Sequence, residues 1–131
     1  MIKKKKAIII LALIAWFLIN RPLHFGIHFF AFTVYSGIPI PYFDLKIHAN
    51  GIPSIRKKSH YVSIDEVKPL LEENPEVIII GIGYNEMVKV DKEILKLNVG
   101  VLILETSEAI KAFNQLKSSG VKVAAIIHTT C

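Results

Sequence analysis

Three short, unbroken apolar runs constrain this chain more than any other feature. They are Val77–Ile80 (VIII), Val101–Leu104 (VLIL) and Val121–Ile127 (VKVAAII). A strand covered on both faces reads as a continuous apolar run, whereas a strand with one wet face alternates. Helical patterns separate the runs. Asp91–Leu97 carries Ile94, Leu95 and Leu97, and the stretch after Glu105 carries Ala109, Ile110, Phe113 and Leu116 at helical spacing. Thr106 or Ser107 is placed to cap that second helix and Gly120 to end it. Doubly buried strands alternating with helices predict a parallel sheet with right-handed crossovers.

Upstream the signals change. Ser63-Ile64-Asp65-Glu66 has capping-box spacing, and it opens a helix with Ile64, Val67, Leu70 and Leu71 on one side that ends before Pro75. Asp44–His48 (DLKIH) alternates, Ala49-Asn50-Gly51 supplies a turn, and Ile52–Lys58 runs back, which predicts a β-hairpin. Leu23–Phe43 is rich in aromatic and β-branched residues and broken by Gly26, Gly37, Pro39 and Pro41, so it reads as strand and loop. The expected fold is one layered α/β domain over residues 23–131, with a mostly parallel central sheet and a packed β-hairpin, preceded by an N-terminal apolar helix.

That helix belongs to a leader, residues 1–22. Lys3–Lys6 precede thirteen apolar residues, Ala7–Ile19, with no polar face among them. Thirteen residues make about 20 Å of helix, against a hydrocarbon core of about 30 Å. Snorkelling lysines and an interfacial Trp16 extend the reach, so the leader is expected to act as a single-pass membrane anchor with its N-terminus inside. A cleaved signal peptide and a spurious start compete with this, and the alternative location is soluble and cytoplasmic.

Charge narrows the partners. All five basic residues of the leader lack an acidic neighbour, and the remaining 11 Lys/Arg are balanced by 11 Asp/Glu. A neutral folded part lacks the electrostatic footprint of a nucleic-acid binder. Its one basic cluster, Arg56-Lys57-Lys58, reads as a solvated strand end. The single cysteine forms no internal disulfide.

Ligands of open parallel sheets sit beyond the C-terminal strand ends. Those ends here offer Gly81, Gly83 and Tyr84, then Glu105 and Thr106, then His128 and Cys131, which are the candidate ligand-binding residues. Gly81-Ile82-Gly83 lacks the third glycine of a dinucleotide fingerprint, so no cofactor is expected. His128 and Cys131 stand at i, i+3, but two ligands leave a tetrahedral site unfilled. A metal would need a partner chain or a distant His24, His28, His48 or His60, and none is expected. A cysteine this near the end of the chain is also expected to be poorly held. No complete catalytic set emerges, so no enzymatic activity is assigned.

Pro75–Cys131 resembles the Mth-nine-three-eight-like domain family. The resemblance rests on Gly81 and Gly83, Thr106, Glu108-Ala109, Phe113-Asn114, and His128, Thr130 and Cys131. Upstream, Asp44-Leu45-Lys46-Ile47, Asn50-Gly51 and Arg56-Lys57-Lys58-Ser59 resemble the family's Asp-led strand, turn and basic strand. Ile82 stands where the family usually has Thr. The family includes a mitochondrial complex I assembly factor and an adipogenesis-associated protein. The resemblance implies a layered α/β fold with a hairpin packed on the sheet, and it implies no common reaction. Together with the leader it points to a membrane-anchored, non-enzymatic module for protein contact or complex assembly. The alternative is a small-ligand-binding or enzymatic domain at the strand ends.

Overall fold

The computed structural model describes residues 2–131; Met1, the first residue of the leader, lies outside the described residues. The elements in chain order are α1 (Ile2–Ile19), β1 (Phe25–Phe29), β2 (Phe32–Tyr35), β3 (Ile38–Pro41), β4 (Asp44–Ile47), β5 (Pro53–Arg56), β6 (Tyr61–Val62), α2 (Ile64–Leu71), β7 (Val77–Ile82), β8 (Lys89–Val90), a 3₁₀ turn (Lys92–Lys96), β9 (Gly100–Leu104), α3 (Thr106–Ser118) and β10 (Val123–His128).

The three apolar runs became β7, β9 and β10, and they are parallel as their composition requires. The central sheet as a whole is mixed, with five strands in the order β5-β4-β10-β7-β9. The hairpin β4–β5 is not packed on the sheet; β4 adds antiparallel to the free edge of β10. This corrects the expectation of a mostly parallel sheet. Its cause is that β10, buried at all six positions, needs backbone partners on both sides.

Alternation along β10 divides the core. Val123, Ala125 and Ile127 face α3 and the β1-β2-β3 meander, beside Phe25, Tyr35, Ile110 and Phe113. Ala124 and Ile126 face α2 and the 3₁₀ turn, beside Val62, Val67, Leu70 and Ile94. The sheet is therefore the middle of three layers. Burying a Leu, Ile or Phe side chain contributes about 1.5–3 kcal/mol, so the two clusters dominate stability. Asn114 fastens the meander to α3: its Oδ1 accepts from Phe25 N–H at 2.8 Å and its Nδ2 donates to Phe25 C=O at 2.8 Å.

Several local expectations change in detail. Ser63 Oγ accepts from Glu66 N–H as a cap should, but the Glu66 carboxylate turns away to Arg56 and leaves the box half closed. Asp91–Leu97 holds only a 3₁₀ turn, because Asp91 caps five residues and the backbone is extended again at Leu97. Glu105, not Thr106 or Ser107, caps α3, accepting from Ser107 N–H at 3.0 Å and Glu108 N–H at 3.3 Å.

The leader is helical, and the helix absorbs the lysines. No helix among the described residues is long and apolar enough to cross a membrane, so the expected single-pass span is without support. α1 touches the rest of the chain at its end, where Trp16 Nε1 donates to Gly37 C=O at 2.9 Å and Asn20 is fully buried. Ile8, Ile9, Leu11 and Leu18 are exposed.

Candidate functional site

Asp44 opens β4 and sits across from Arg56, the last residue of β5. The turn at Asn50-Gly51 sets that register, so the hairpin itself brings carboxylate and guanidinium together. Asp44 is 0% exposed and Arg56 5%. A carboxylate taken out of water costs several kcal/mol unless its lone pairs are filled. Here four donors fill them: Arg56 Nη1 at 2.8 Å, Lys58 Nζ at 2.5 Å, His128 Nδ1 at 2.7 Å and Thr129 N–H at 3.0 Å. Burial alone would raise the Asp44 carboxyl. The bonds from His128, Lys58 and Thr129 outweigh it and hold the group at about 2, so Asp44 is ionised at neutral pH.

An ionised carboxylate only accepts hydrogen bonds, so the imidazole facing it carries its proton on Nδ1. His128 Nε2 faces the other side, where the Thr130 hydroxyl lies at 3.1 Å. Arg56 spends its remaining donors on neighbours. It pairs with both oxygens of Glu66 and donates to Ser59 C=O at 3.4 Å and Tyr61 C=O at 2.9 Å. These two carbonyls flank His60. The basic cluster is thus no solvated strand end: Arg56 is a buried hub, and Lys58 reaches inward to Asp44.

Past β10 the chain stays fixed. Tyr84 N–H donates to Thr130 C=O at 2.7 Å and Met87 N–H donates to Cys131 C=O at 3.0 Å. Gly83 makes this possible. Its φ is +99°, and a Cβ there would lie 2.3 Å from the Cys131 carbonyl oxygen. Gly83 N–H donates to Thr106 Oγ1 at 2.9 Å, and the same hydroxyl donates to His128 C=O at 2.6 Å. Cys131 is therefore held in place, contrary to the expectation of a loose terminal residue.

Beside this network opens a cavity of about 540 Å³, lined by Phe30, Ala31, Tyr42, Lys58, Ser59, His60, Thr130 and Cys131. Small-molecule sites have volumes of about 300–1,000 Å³. The Lys58 ammonium sits 4.6 Å above the Tyr42 ring. Ala31 and Tyr42 both hold positive φ, 63° and 64°. A second cavity of about 340 Å³ lies beside His48, Asn50, Glu73 and Lys122. There both Glu73 oxygens are engaged, by Ala49 N–H at 2.8 Å and His48 Nδ1 at 2.6 Å, and they clasp the hairpin turn to the end of α2.

The candidate residues divide accordingly. Gly83, Thr106, His128 and Cys131 come together, with the Tyr84 backbone joining the clamp. Only Cys131 among them lines the cavity. Gly81 lies under α3, where a Cβ would meet Ala109 Cβ at 3.2 Å. Glu105 is used as the helix cap. The Tyr84 hydroxyl is buried without a hydrogen-bond partner, and burial, with Glu105 nearby, pushes it up to about 12. Asp44, Lys58, Tyr42 and Phe30 were missed as site residues, and His60, named only as one of four distant histidines that could join His128 and Cys131, is the one that lies beside them. The signal for Asp44 and Arg56 was the hairpin register; no local pattern marks His60.

A family model described as a protein of unknown function, DUF498/DUF598, matches residues 27–128. Among solved structures, a protein designated MT938 is 34% identical, with a TM-score of 0.73, over 82% of this chain and 98% of that one. The conserved hypothetical protein PH1505 from Pyrococcus horikoshii OT3 is 25% identical, with a TM-score of 0.70, over 82% of this chain and 98% of its own. An outer membrane protein from Bartonella henselae shares the fold at 18% identity and a TM-score of 0.69, over 86% of this chain and 98% of its own. A Mth938-like domain from Bordetella pertussis aligns at 15% identity and a TM-score of 0.56, over 81% of this chain and 85% of its own. Sequence match and architecture agree with the resemblance in Pro75–Cys131, and the chain belongs to the DUF498 family.

Proposed function

We propose that this domain is a small-ligand-binding module acting at the cavity beside the end of β10. The observation that carries this is the Asp44 network: a fully buried carboxylate whose partner Lys58 reaches the cavity wall and there also donates to the Thr130 hydroxyl at 3.2 Å. Proteins tolerate buried charge sparingly. The aromatic rings of Phe30 and Tyr42 suit a flat or apolar body. The Ser59 and Thr130 hydroxyls suit a polar group on it, and Lys58, whose three protons go to Asp44, Thr129 and Thr130, lends the wall its positive charge.

A thermal-shift screen on the full chain tests this. A ligand at a hundred times its Kd adds about 2.7 kcal/mol, a Tm rise on the order of 5–10 °C for a chain of this size. Ser59→Trp fills the cavity from its rim and should abolish the rise while leaving the unliganded Tm nearly unchanged. A ligand whose shift survives Ser59→Trp binds elsewhere and defeats the proposal.

The exposed surface of α1 favours a second reading, a contact or assembly module held at a membrane. Apolar side chains surround Ala7–Ile19, and Lys3–Lys6 mark one end, which suits partial insertion with the ammonium groups at headgroup level. Alkaline carbonate extraction of membranes from cells making the full chain is the test: retention in the pellet supports attachment, and release removes this reading.

A further inference from the structure

Three metal-binding side chains from separate parts of the chain converge at the edge of the cavity. The ligand atoms of His60, His128 and Cys131 lie within 4.8 Å of one another. His60 comes from the link between β5 and β6, His128 ends β10, and Cys131 follows it. We propose that these residues form a mononuclear site for a borderline-soft divalent cation of the Zn²⁺ class, with its fourth position open to the cavity. This rests on the cavity being a ligand site and names what its ligand would meet there.

The spacing fits. Bonds of about 2.0 Å to nitrogen and 2.3 Å to sulfur at a tetrahedral angle set the N···S edge near 3.5 Å. Cys131 Sγ lies 3.6 Å from His60 Nε2. His128 is already prepared as a ligand. Asp44 fixes the Nδ1–H tautomer at 2.7 Å and aims the Nε2 lone pair outward, the carboxylate–histidine arrangement that orients metal-bound imidazoles. The Thr130 hydroxyl, now donating to Nε2, keeps Lys58 Nζ at 3.2 Å as a partner once a cation takes that lone pair.

Each ligand is also anchored through its backbone. Arg56 holds the carbonyls on both sides of His60, and Met87 N–H holds that of Cys131. Two imidazoles and a thiolate are poor ligands for Ca²⁺ or Mg²⁺ and good ones for zinc-class ions. Structural zinc sites close all four positions, whereas three protein ligands leave one for an exogenous donor. The cavity ligand would then be a small molecule with an anionic or nitrogen donor atom.

The test uses the full chain, kept reduced, titrated with Zn²⁺ by calorimetry and with Co²⁺ by absorption. Cys131 is the only cysteine in the chain, so a thiolate-to-cobalt charge-transfer band reports this site alone. We expect one equivalent of either ion and that band. Cys131→Ser should remove the band, and His60→Ala should weaken Zn²⁺ binding at least ~100-fold, both in chains that remain folded by circular dichroism. Absence of the band, or Zn²⁺ affinity unmoved by both substitutions, overturns the inference. The small-molecule screen repeated on chelator-treated protein separates the two proposals. Small molecules that bind the metal-free chain and are lost in Ser59→Trp, without a cobalt band, uphold the cavity and overturn the metal. The band without any small-molecule binding, with or without metal, upholds the metal and overturns the cavity reading.

Discussion

Asp44→Asn isolates the electrostatic centre of the molecule. The substitution keeps the shape of the side chain, removes its charge, and turns two N–H donors toward groups that are themselves donors. Breaking one partner of a buried ion pair costs about 3–5 kcal/mol, which is the loss expected at pH 7. The wild-type carboxyl lies at about 2 against an ordinary 3.8. At 1.36 kcal/mol per unit, that difference is worth about 2.4 kcal/mol. A lowered carboxyl stabilises the fold fully above its unfolded value and loses that contribution as pH falls through its folded value. The gap between wild type and Asp44→Asn should therefore shrink by about 2 kcal/mol between pH 5 and 2. Glu73 and Asp91, whose carboxyls are also lowered, titrate in both proteins and cancel in the difference. Urea unfolding followed by far-ultraviolet circular dichroism at four pH values measures it. Parallel pH profiles, or a loss under 1 kcal/mol at pH 7, would refute the reasoning.

Other substitutions probe the scaffold around the site. Gly83→Ala should cost about 1–3 kcal/mol and expose the Met87 and Tyr84 amides to hydrogen exchange, because its methyl group meets the Cys131 carbonyl at 2.3 Å. Gly120→Ala, also at positive φ but with nothing within 4 Å, should cost about 1 kcal/mol and leave those amides protected. Thr106→Val leaves the Gly83 N–H and the His128 C=O without their buried partner, and equal-volume replacement should still cost about 2–4 kcal/mol in urea unfolding. Asn114→Ala should lose about 1–2 kcal/mol with no change in ligand-induced Tm shift, since its two bonds to Phe25 lie away from the cavity.

How far the sequence could be read depends on the range of the forces involved. β7 and β10 were legible because burial on both faces leaves a local mark, a mostly apolar run; VLIL reads the same, yet β9 is the edge of the sheet and Leu102 is exposed. The hairpin was legible from Asn50-Gly51, yet DLKI looks the same whether a strand lies on a sheet or joins its edge. That choice was made by the free edge of β10, some eighty residues away in sequence. Glu66 shows the same limit: its spacing from Ser63 promises a capping box, and a buried guanidinium outcompetes a backbone N–H for its carboxylate. His60 carries no periodicity at all. Its position follows from Arg56 bonds to the carbonyls on either side, and those exist only once Asp44 has drawn Arg56 inward. The apolar leader was legible as a helix, and no helix among the described residues is long and apolar enough to cross a membrane.

Amide chemical-shift mapping of a ligand found by thermal shift tests the cavity most directly. On the isotope-labelled full chain, the largest changes should fall on Ala31, Ser59, His60, Thr130 and Cys131, and Ser59→Trp should erase them. Changes concentrated instead at His48, Asn50 and Glu73, or a broad screen that moves no amide of the folded chain, would contradict a binding site at the end of β10.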